Sequence, residues 1–559
     1  MMVGVVNSVL GRVLRRCASV ISLALIPLVA DAAVQVVHNV HGYTPTNEGL
    51  RAFSGLVIVD GKIERVLTSE SEVPRNGEAI DGGGRTLLPG LIDAHGHVLW
   101  LGEERLQADL RGSTSLQETL DRTRSFAAAH ADSSWVMGRG WDQELWADKR
   151  FPTARDLDRV IGDRPAMLTR IDLHVVWVNS AALKLAGISS ATVDPPGGQI
   201  VRDATGQPTG VFVDAAMALI KKHLPERTDE GIKHALRTSM RELVSLGLTG
   251  THDAGIDSRQ YRLYQELGAR GELPLRIYAM LAAREARPGD IEAGPRSPQF
   301  DDRLQMPAVK VWVDGALGSR GAALLQDYSD EPHSRGLMLY TPAQLQALAK
   351  LTSANGWQLN VHAIGDAGNR FALDTFEKML TREQRRSLRP RIEHASVLTP
   401  GDVARFAKLG IVASIQPMFA TSDMSMAEDR LGPTRVHGAY AWRTLLDAGV
   451  RLAGGSDFPV ELPNPFLGMY AAVTRQDREG RPAGGWHPRE KLSREEALRL
   501  FTADAAYAAR MENVVGTLEP GKWADFILID RDYFKVPEQE IDDIRVLATF
   551  VAGSKVSPQ

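Results

Sequence analysis

The stretch Leu87-Leu88-Pro89-Gly90-Leu91-Ile92-Asp93-Ala94-His95-Gly96-His97 is an apolar run that ends in two histidines separated by one glycine. In a β-strand, side chains at positions i and i+2 point to the same face, so His95 and His97 would project together from the end of the run. Two imidazoles on one face are half of a metal site, although an isolated pair is better explained by ordinary turn histidines. The residues at the ends of the other strands therefore decide between these two interpretations.

The composition is that of a globular protein with ample sequence for a large core. Of 559 residues, 43% are hydrophobic and 24% are charged,. The formal net charge is -4 and no basic cluster is present. This balance argues against nucleic acid as a partner.

Residues 1–32 have the pattern of an export signal. Arg12, Arg15 and Arg16 precede an apolar stretch at 18–30, which runs into the small-x-small site Ala30-Asp31-Ala32. The stretch is too short to span a bilayer comfortably. We expect a cleaved signal and an exported protein, periplasmic or secreted, with no membrane attachment after cleavage. The route, general secretory or twin-arginine, stays open.

Cleavage would also remove Cys17, the only cysteine. The loss of three arginines and one aspartate takes the net charge from -4 to -6. A mature chain without cysteine has no disulfide and no thiolate ligand, so any metal must be held by nitrogen and oxygen donors.

Short β patterns occupy both ends of the mature chain. Residues 55–66 contain two apolar runs joined by Asp60-Gly61, a hairpin signal, and residues 524–530 and 546–551 have the same character,. We expect residues 33–86 and 510–559 to combine into one small β-sandwich domain.

Between these ends, residues 87–509 alternate apolar β runs with helical patterns, which predicts an α/β fold with a parallel sheet. A closed (β/α)8 TIM-type barrel needs eight strands, and the chain offers ten candidates. They are Leu87 to His95, Trp135 to Trp141, Ala166 to Leu173, Thr249 to Ala254, Leu275 to Leu281, Ala308 to Asp314, Gln358 to His362, Arg391 to His394, Val412 to Met418 and Arg451 to Ser456. The second and third lie in a stretch at about 115–217 that is rich in Trp, Pro and Gly,. We predict that this stretch is an inserted α/β subdomain and that the other eight strands form the barrel.

Residues of ligand type stand at the ends of several barrel strands, where barrel enzymes place their catalytic groups. Besides the first pair, they are Lys310, His362, His394 and Asp457. A lone histidine at a strand end is more often a hydrogen-bonded core residue than a ligand, and Asp457 alone could cap the following segment. Four histidines, a lysine and an aspartate at the ends of five different strands favour a metal site.

Lys310 interrupts a strand whose Val309, Val311 and Val313 share one face. Those valines would pack against helices, so Lys310 would face the barrel interior, where a buried ammonium group is unfavourable. Two explanations are open. Lys310 forms a salt bridge to a carboxylate such as Asp314 or Asp457, or carbon dioxide carboxylates it into an anionic ligand that bridges two metals.

The motifs around these residues resemble the amidohydrolase superfamily, and within it the branch of N-substituted formamide deformylase and the YtcJ-type hydrolases. They are Gly138-Arg139-Gly140-Trp141-Asp142, Arg170-Ile171-Asp172-Leu173-His174, Val178-Asn179-Ser180-Ala181-Ala182-Leu183, Asp314-Gly315-Ala316-Leu317-Gly318-Ser319 and Gly455-Ser456-Asp457-Phe458-Pro459-Val460-Glu461. The resemblance covers essentially all of the mature chain.

The resemblance implies a ligand set. His95, His97 and Asp457 would bind the more buried metal, His362 and His394 the more exposed one, and carboxylated Lys310 would bridge them. The chain departs from the family at Leu173, where glycine is more usual, and this puts the reach of His174 in doubt.

The predicted reaction is hydrolysis of a carbon–nitrogen bond, in an amide or N-substituted formamide other than a peptide, by metal-bound hydroxide. Asp457 would serve as general base and then acid, and His174 as a catalytic contact to the carbonyl. Zinc, as one or two ions, suits imidazole and carboxylate ligands, which also admit Mn, Fe or Co. The predicted substrate-binding residues are Trp141, Asp142, His174, Asn179, Arg320 and Met418, with Phe419 as a further pocket residue and Trp146 and Trp177 equally well explained as core of the insertion.

Two alternative functions differ in class. A deaminase of a cyclic amidine would share the barrel, but the acid nearest to His362 in sequence is Asp366, where such enzymes usually have a glutamate, and Lys310 favours the two-metal hydrolases. A catalytically silent binding protein would have lost ligands, and none of the six is missing. A small-molecule amide is the expected partner. The sequence leaves open the substrate, the metal and the oligomeric state, for which a homodimer is one option.

Overall fold

The computed structural model describes residues 34–74, 77–171 and 175–557. The expected export signal and His174 lie outside the described residues. Within these ranges, no helix has both the length and the apolar character needed to cross a membrane.

Eight parallel strands form the TIM-type barrel, which confirms the predicted fold class. Neighbouring strands pair in chain order, and the eighth lies against the first through a bridge between Gly96 and Phe458. The amide of Asp457 also donates to the carbonyl oxygen of His95 at 2.7 Å. The barrel strands are Leu91–Gly96, Leu248–Ile256, Arg276–Ala282, Leu304–Trp312, Gln358–Ala363, Arg391–His394, Val412–Ile415 and Leu452–Gly454, with Arg296–Gln299 paired antiparallel to the fourth.

Helices cover the outside of the barrel and bury the outward face of its strands. In the fourth strand, Val309 and Val311 are fully buried in the main apolar cluster, while Lys310 between them points inward. The helices outside the insertion are Val98–Arg105, Ala218–Lys221, Asp229–Ser245, Ser258–Ala269, Pro342–Ala354, Asp366–Met379, Arg382–Leu388, Pro400–Leu409, Phe419–Ser422, Met424–Arg435, Trp442–Asp447, Pro465–Thr474, Arg494–Leu500 and Ala503–Ala508.

The apolar run before the paired histidines is divided between two strands, where the sequence predicted one. Glu78–Pro89 belongs to the sheet built from the chain ends, and Leu91–Gly96 is the first barrel strand. Between them, the amide of Gly90 donates to the carbonyl oxygen of Asp525 at 2.8 Å. A β-carbon at Gly90 would lie 2.2 Å from Thr249 Oγ1, so the crossing requires glycine,. This close approach was invisible in the one-dimensional pattern.

Strands from both chain ends join in one eight-stranded sheet. The prediction was a sandwich, but Glu78–Pro89 pairs with a strand from each end and so links them by hydrogen bonds. Leu56 from the first end and Phe526 from the second share one apolar cluster. The strands are Val34–Thr46, Gly49–Phe53, Gly55–Val59, Lys62–Leu67, Glu78–Pro89, Phe526–Ile529, Val546–Val551 and Ser554–Ser557.

A six-stranded sheet lies between the first and second barrel strands in the chain. It contains the second and third candidate strands, which are therefore outside the barrel. Its strands are Ala108–Asp109, Val136–Trp141, Ala166–Arg170, Val175–Val178, Gly198–Arg202 and Pro208–Asp214, and the helices among them are Leu116–Ala129, Ala154–Ile161 and Ser180–Leu185.

Candidate metal centre

The six residues predicted as ligands meet at the carboxyl ends of the barrel strands. Asp457 Oδ1 lies 3.1 Å from His97 Nε2 and 3.5 Å from His95 Nε2. His394 joins them, with its ring centroid 4.9 Å from that of His95. His95, His394 and Asp457 offer three ligand atoms that all lie within 4.8 Å of one another, an arrangement that can hold a metal ion,.

His362 extends the cluster from the fifth strand. Its ring centroid lies 4.4 Å from that of His394. His362 Nε2 is buried and has no hydrogen-bond partner among the described residues, and Asp314 Oδ1 is 3.6 Å away. A buried ring nitrogen without a partner is unfavourable unless something engages it. The donor set of imidazole and carboxylate therefore fits a divalent metal.

Lys310 is fully buried beside the histidines, with Nζ 3.3 Å from His95 Nε2. The structure records no ion pair for this ammonium group within the described residues. Asp314, one of the two carboxylates considered as its partner, instead accepts main-chain N–H groups, among them those of Ala323 and Gly365. Burial lowers the pKa of Lys310 to about 8. About a tenth of the amine would then be neutral at pH 7, far more than for an exposed lysine.

The protonation states within the cluster are those that metal binding requires. Burial lowers the pKa of His394 to about 4 and, together with the charge of Lys310, that of His95 to about 3. Burial opposes ionisation of Asp457, but the neighbouring His95 and His97 hold the pKa of its carboxyl well below the usual range. Neutral imidazoles and an ionised carboxylate are ready to bind a cation.

A carboxylate that was not predicted from the sequence holds His95. Glu393 Oε2 lies 2.5 Å from His95 Nδ1, and Arg391 forms an ion pair with the same carboxylate, Nε to Oε1, at 2.9 Å. His252 contacts Arg391 Nη1 through Nδ1 at 2.9 Å. The signal was present, because Arg391 and Glu393 stand at i and i+2 in a strand and must share its interior face.

Two site residues have an unusual backbone. His394 has a φ of 75° and Asp457 a φ of 61°, in the left-handed region that side chains other than glycine rarely adopt,. Gly96 separates the paired histidines because a β-carbon there would lie 2.2 Å from the ring of Phe458. Asp93 ties the first strand to the eighth, since its carboxylate accepts from Ser456 Oγ at 2.7 Å.

Two predicted substrate contacts are structural, and we correct them. Trp141 is fully buried in the insertion core, and its indole N–H donates to the carbonyl oxygen of Leu168 at 2.9 Å. Asn179 caps a helix, because its Oδ1 accepts the amide of Ala182 at 3.1 Å, and its Nδ2 donates to the carbonyl oxygen of Arg164 at 2.8 Å. Family motifs identified both residues but could not distinguish a pocket wall from a packed interior.

Two other predicted contacts, Asp142 and Arg320, have partners of their own. Asp142 accepts from Arg170 Nη2 at 2.7 Å, and Arg320 forms an ion pair with Asp330 at 3.0 Å. Met418 is half-buried just beyond the seventh strand.

Aromatic rings lie against three of the six ligands. Trp100, which the sequence analysis overlooked, stacks on His97 with ring centroids 4.2 Å apart and an interplanar angle of 23°. Phe419 lies parallel to His394 at 6.1 Å. Lys310 Nζ is 5.3 Å from the ring centroid of Trp312.

Comparison with known proteins identifies the family of this chain. A model of the amidohydrolase family matches residues 78–556. The chain is 33% identical over 527 residues to the putative amidohydrolase YtcJ of Bacillus subtilis (strain 168), covering 92% of this chain and 97% of that protein. It is 29% identical over 520 residues to the N-substituted formamide deformylase of Arthrobacter pascens, covering 89% and 94%.

A solved structure gives the same result. The crystal structure of an uncharacterized metal-dependent hydrolase from Pyrococcus furiosus is 29% identical and aligns with a TM-score of 0.73, covering 90% of this chain and 100% of that one. The barrel, the six converging ligand-type side chains and the match over most of the sequence lead to one conclusion. The chain belongs to the amidohydrolase family and is a metal-dependent hydrolase.

Proposed function

We propose that the protein hydrolyses the carbon–nitrogen bond of an amide or N-substituted formamide other than a peptide. The observation that carries the proposal is the contact of four imidazoles, one buried carboxylate and one buried amine at one end of the barrel. The name of the Arthrobacter relative supports this class of bond. The residues that would hold zinc, or Mn, Fe or Co in its place, are His95, His97, His362, His394, Asp457 and carboxylated Lys310.

A bound divalent metal supplies Lewis acidity that activates water and polarises a carbonyl group. Asp457 is the proton carrier in this proposal, because its ionised carboxylate lies at the centre of the cluster. It would take a proton from the attacking water and return it to the departing nitrogen.

The histidines are held in defined orientations for this task. The carboxylate of Glu393 engages His95 Nδ1, and Gln416 Oε1 engages His394 Nδ1 at 2.8 Å. In each ring the Nδ1 partner favours the tautomer whose Nε2 lone pair is free to bind.

Lys310 is suited to carboxylation. Its neutral amine would attack carbon dioxide, so that an N–C bond forms and one proton leaves, giving a carbamate anion. The carbamate would provide two oxygen donors in place of a buried cation. Among the described residues, no carboxylate forms an ion pair with Lys310.

The acid considered as proton shuttle in the deaminase alternative is engaged by the main chain. Asp366, the acid nearest to His362 in sequence, is buried and accepts the amide of Leu325 at 2.9 Å. Its carboxylate is therefore committed to holding a loop.

The test is metal analysis of purified protein combined with a substrate screen. The panel contains formamides, N-acyl amino acids, cyclic amides and cyclic amidines. We expect metal-dependent release of an amine and a carboxylate from at least one amide class. Release of ammonia from a cyclic amidine alone, or no turnover by protein that holds two metals, would contradict the proposal.

A further inference from the structure

Exposed apolar residues follow three of the barrel strands. Six of the twelve large hydrophobic side chains that the described structure exposes lie in the segments after the first, fourth and eighth barrel strands; they are Trp100, Leu337, Met338, Leu339, Val460 and Leu462. Singly exposed apolar residues are ordinary. These segments, however, leave the carboxyl ends of barrel strands, the face where a barrel enzyme binds its substrate.

These loops are tied to the metal centre. The amide of Val460 donates to the carbonyl oxygen of Asp457 at 2.9 Å. The amide of Leu339 donates to the carbonyl oxygen of Val313, next to Asp314. Two of the apolar segments are therefore fixed by main-chain hydrogen bonds next to Asp314 and Asp457.

Trp100 is an aromatic residue that lies against one of the predicted ligands. It lies three residues after His97, in the helix Val98–Arg105, and its ring stacks on that histidine. Yet the residue keeps 48% of its surface exposed, whereas Trp141 and Trp177 in the insertion core are fully buried. One face of Trp100 thus packs against a predicted ligand, and about half of the residue remains exposed and could contact a substrate.

Phe419 provides a second ring from a different loop. It is half-buried and lies parallel to His394, with an interplanar angle of 11°. Trp100 follows the first strand and Phe419 follows the seventh, and each ring lies against a different predicted ligand.

Two arginines in the segments after the third and fourth barrel strands already have partners. Arg320 pairs with Asp330, which also contacts Arg430. Arg284 lies over the ring of Trp312, 4.6 Å from its centroid, and within 3.5 Å of Glu285. These engagements favour an apolar group of the substrate over a carboxylate in this region.

We propose that Trp100 and Phe419 form an aromatic wall that holds a planar apolar group of the substrate beside the metal centre. This inference rests on the proposed function, because it assumes that the scissile amide binds at that centre. Burying such a group between aromatic faces gains free energy from its apolar area and from ring stacking. Amides that carry it are preferred over small aliphatic amides.

Two metal-chelating probes distinguish binding to the aromatic wall from binding to the metal centre. Acetohydroxamate and benzohydroxamate present the same chelating group and differ in the planar ring. Their dissociation constants are measured by titration calorimetry on the zinc-loaded protein. We expect benzohydroxamate to bind at least about tenfold more tightly, the effect of burying one aromatic ring.

The variants Trp100→Ala and Trp100→Phe localise the preference, and Leu547→Ala is the control because Leu547 is an exposed apolar residue of the terminal sheet. Trp100→Ala should lose most of the preference for benzohydroxamate, measured as the ratio of the two dissociation constants, because any effect on the metal centre of removing the ring from His97 changes both constants alike. Trp100→Phe should keep most of it, and Leu547→Ala all of it.

Equal binding of the two probes by the wild-type protein would contradict the aromatic wall but not the metal centre. An unchanged preference in Trp100→Ala would contradict the aromatic wall in the same way. Failure of both probes to bind the zinc-loaded protein would overturn the centre itself, and the wall with it.

Discussion

Glu393 Oε2 lies 2.5 Å from His95 Nδ1, and both side chains are almost completely buried inside the barrel. Arg391 forms an ion pair with the same carboxylate and also donates to Ser414 Oγ at 3.0 Å. The carboxylate therefore joins a predicted ligand to a buried cation. Such partners orient a ligand ring and raise its basicity.

We expect Glu393→Gln to weaken metal binding by about 10- to 100-fold, because the substitution removes the charge that holds His95. The measurement is a titration of metal-free protein with zinc against a competing chelator. Glu377→Gln is the matched control, since Glu377 lies on an outer helix with 42% of its side chain exposed. Unchanged affinity in Glu393→Gln would show that His95 does not depend on this partner.

Asp457→Asn should retain the fold and bound metal but reduce kcat by about 10²- to 10⁴-fold, the usual contribution of a positioned general base. The amide has the shape of the carboxylate but cannot accept the proton. Steady-state rates and metal content are measured on the same preparation. A rate near that of the wild type would remove Asp457 from proton transfer.

Lys310→Ala should lose metal and activity, and acetate or propionate should restore both by occupying the vacated space. Lys233→Ala is the control, because Lys233 is also buried but pairs with Glu230 and Glu266 on the barrel exterior. Short acids should have no effect on that variant. Full metal content in Lys310→Ala without any response to acids would refute the bridging role.

The stability of the metal-free protein should fall as the pH drops below about 6.5. Burial, with the charge of Lys310 for His95, lowers the pKa of His95 to about 3 and that of His394 to about 4 from an unfolded value of 6.5. Protons therefore bind the unfolded chain first, and stability present above pH 6.5 is lost as the pH falls toward 4.

Urea unfolding at several pH values measures this effect. His394→Gln should reduce the slope between pH 6 and 4.5 by roughly 1.4 kcal/mol per pH unit, the contribution of one proton. Leu547→Ala, which changes an exposed side chain that does not titrate, should leave the slope unchanged. Equal slopes in the wild-type protein and both variants would contradict the lowered pKa of His394.

The sequence predicted the parts of the site that repeat a simple rule. His95, Lys310 and Asp457 each follow or interrupt an apolar strand, and the ends of parallel barrel strands meet at one face. Convergence of the six residues followed from topology alone, without any knowledge of distances.

Other features depend on contacts between distant parts of the chain. Trp141 belongs to a family motif, yet its environment is set by packing within the insertion. The stacking of Trp100 on His97 depends on how the helix leaves the first strand. The division of the opening run at Gly90 depends on the approach of Thr249. The local pattern of apolar and polar residues carries no information about contacts between residues that are distant in the sequence.

The contact between the barrel and the terminal sheet can be tested through one buried ion pair. Arg276 on the third barrel strand donates to Asp525 through Nε and Nη2 at 2.7 and 2.9 Å, and both residues are buried. Asp525→Asn leaves the arginine without a counter-charge and should lower the free energy of unfolding by about 3–5 kcal/mol. Asp121→Asn, in an exposed pair with Arg124, should change it by less than about 1 kcal/mol,.

Urea unfolding of these variants measures the effect, and the double variant Arg276→Met with Asp525→Asn shows its origin. Removing the unpaired guanidinium of Arg276 should recover part of the stability lost in Asp525→Asn. If the two sheets unfolded independently, Asp525→Asn would shift only one of two separate transitions. A single transition that moves as a whole is expected, because Asp525 also accepts the amide of Ala552 at 2.8 Å and so fixes the end of the chain to the barrel.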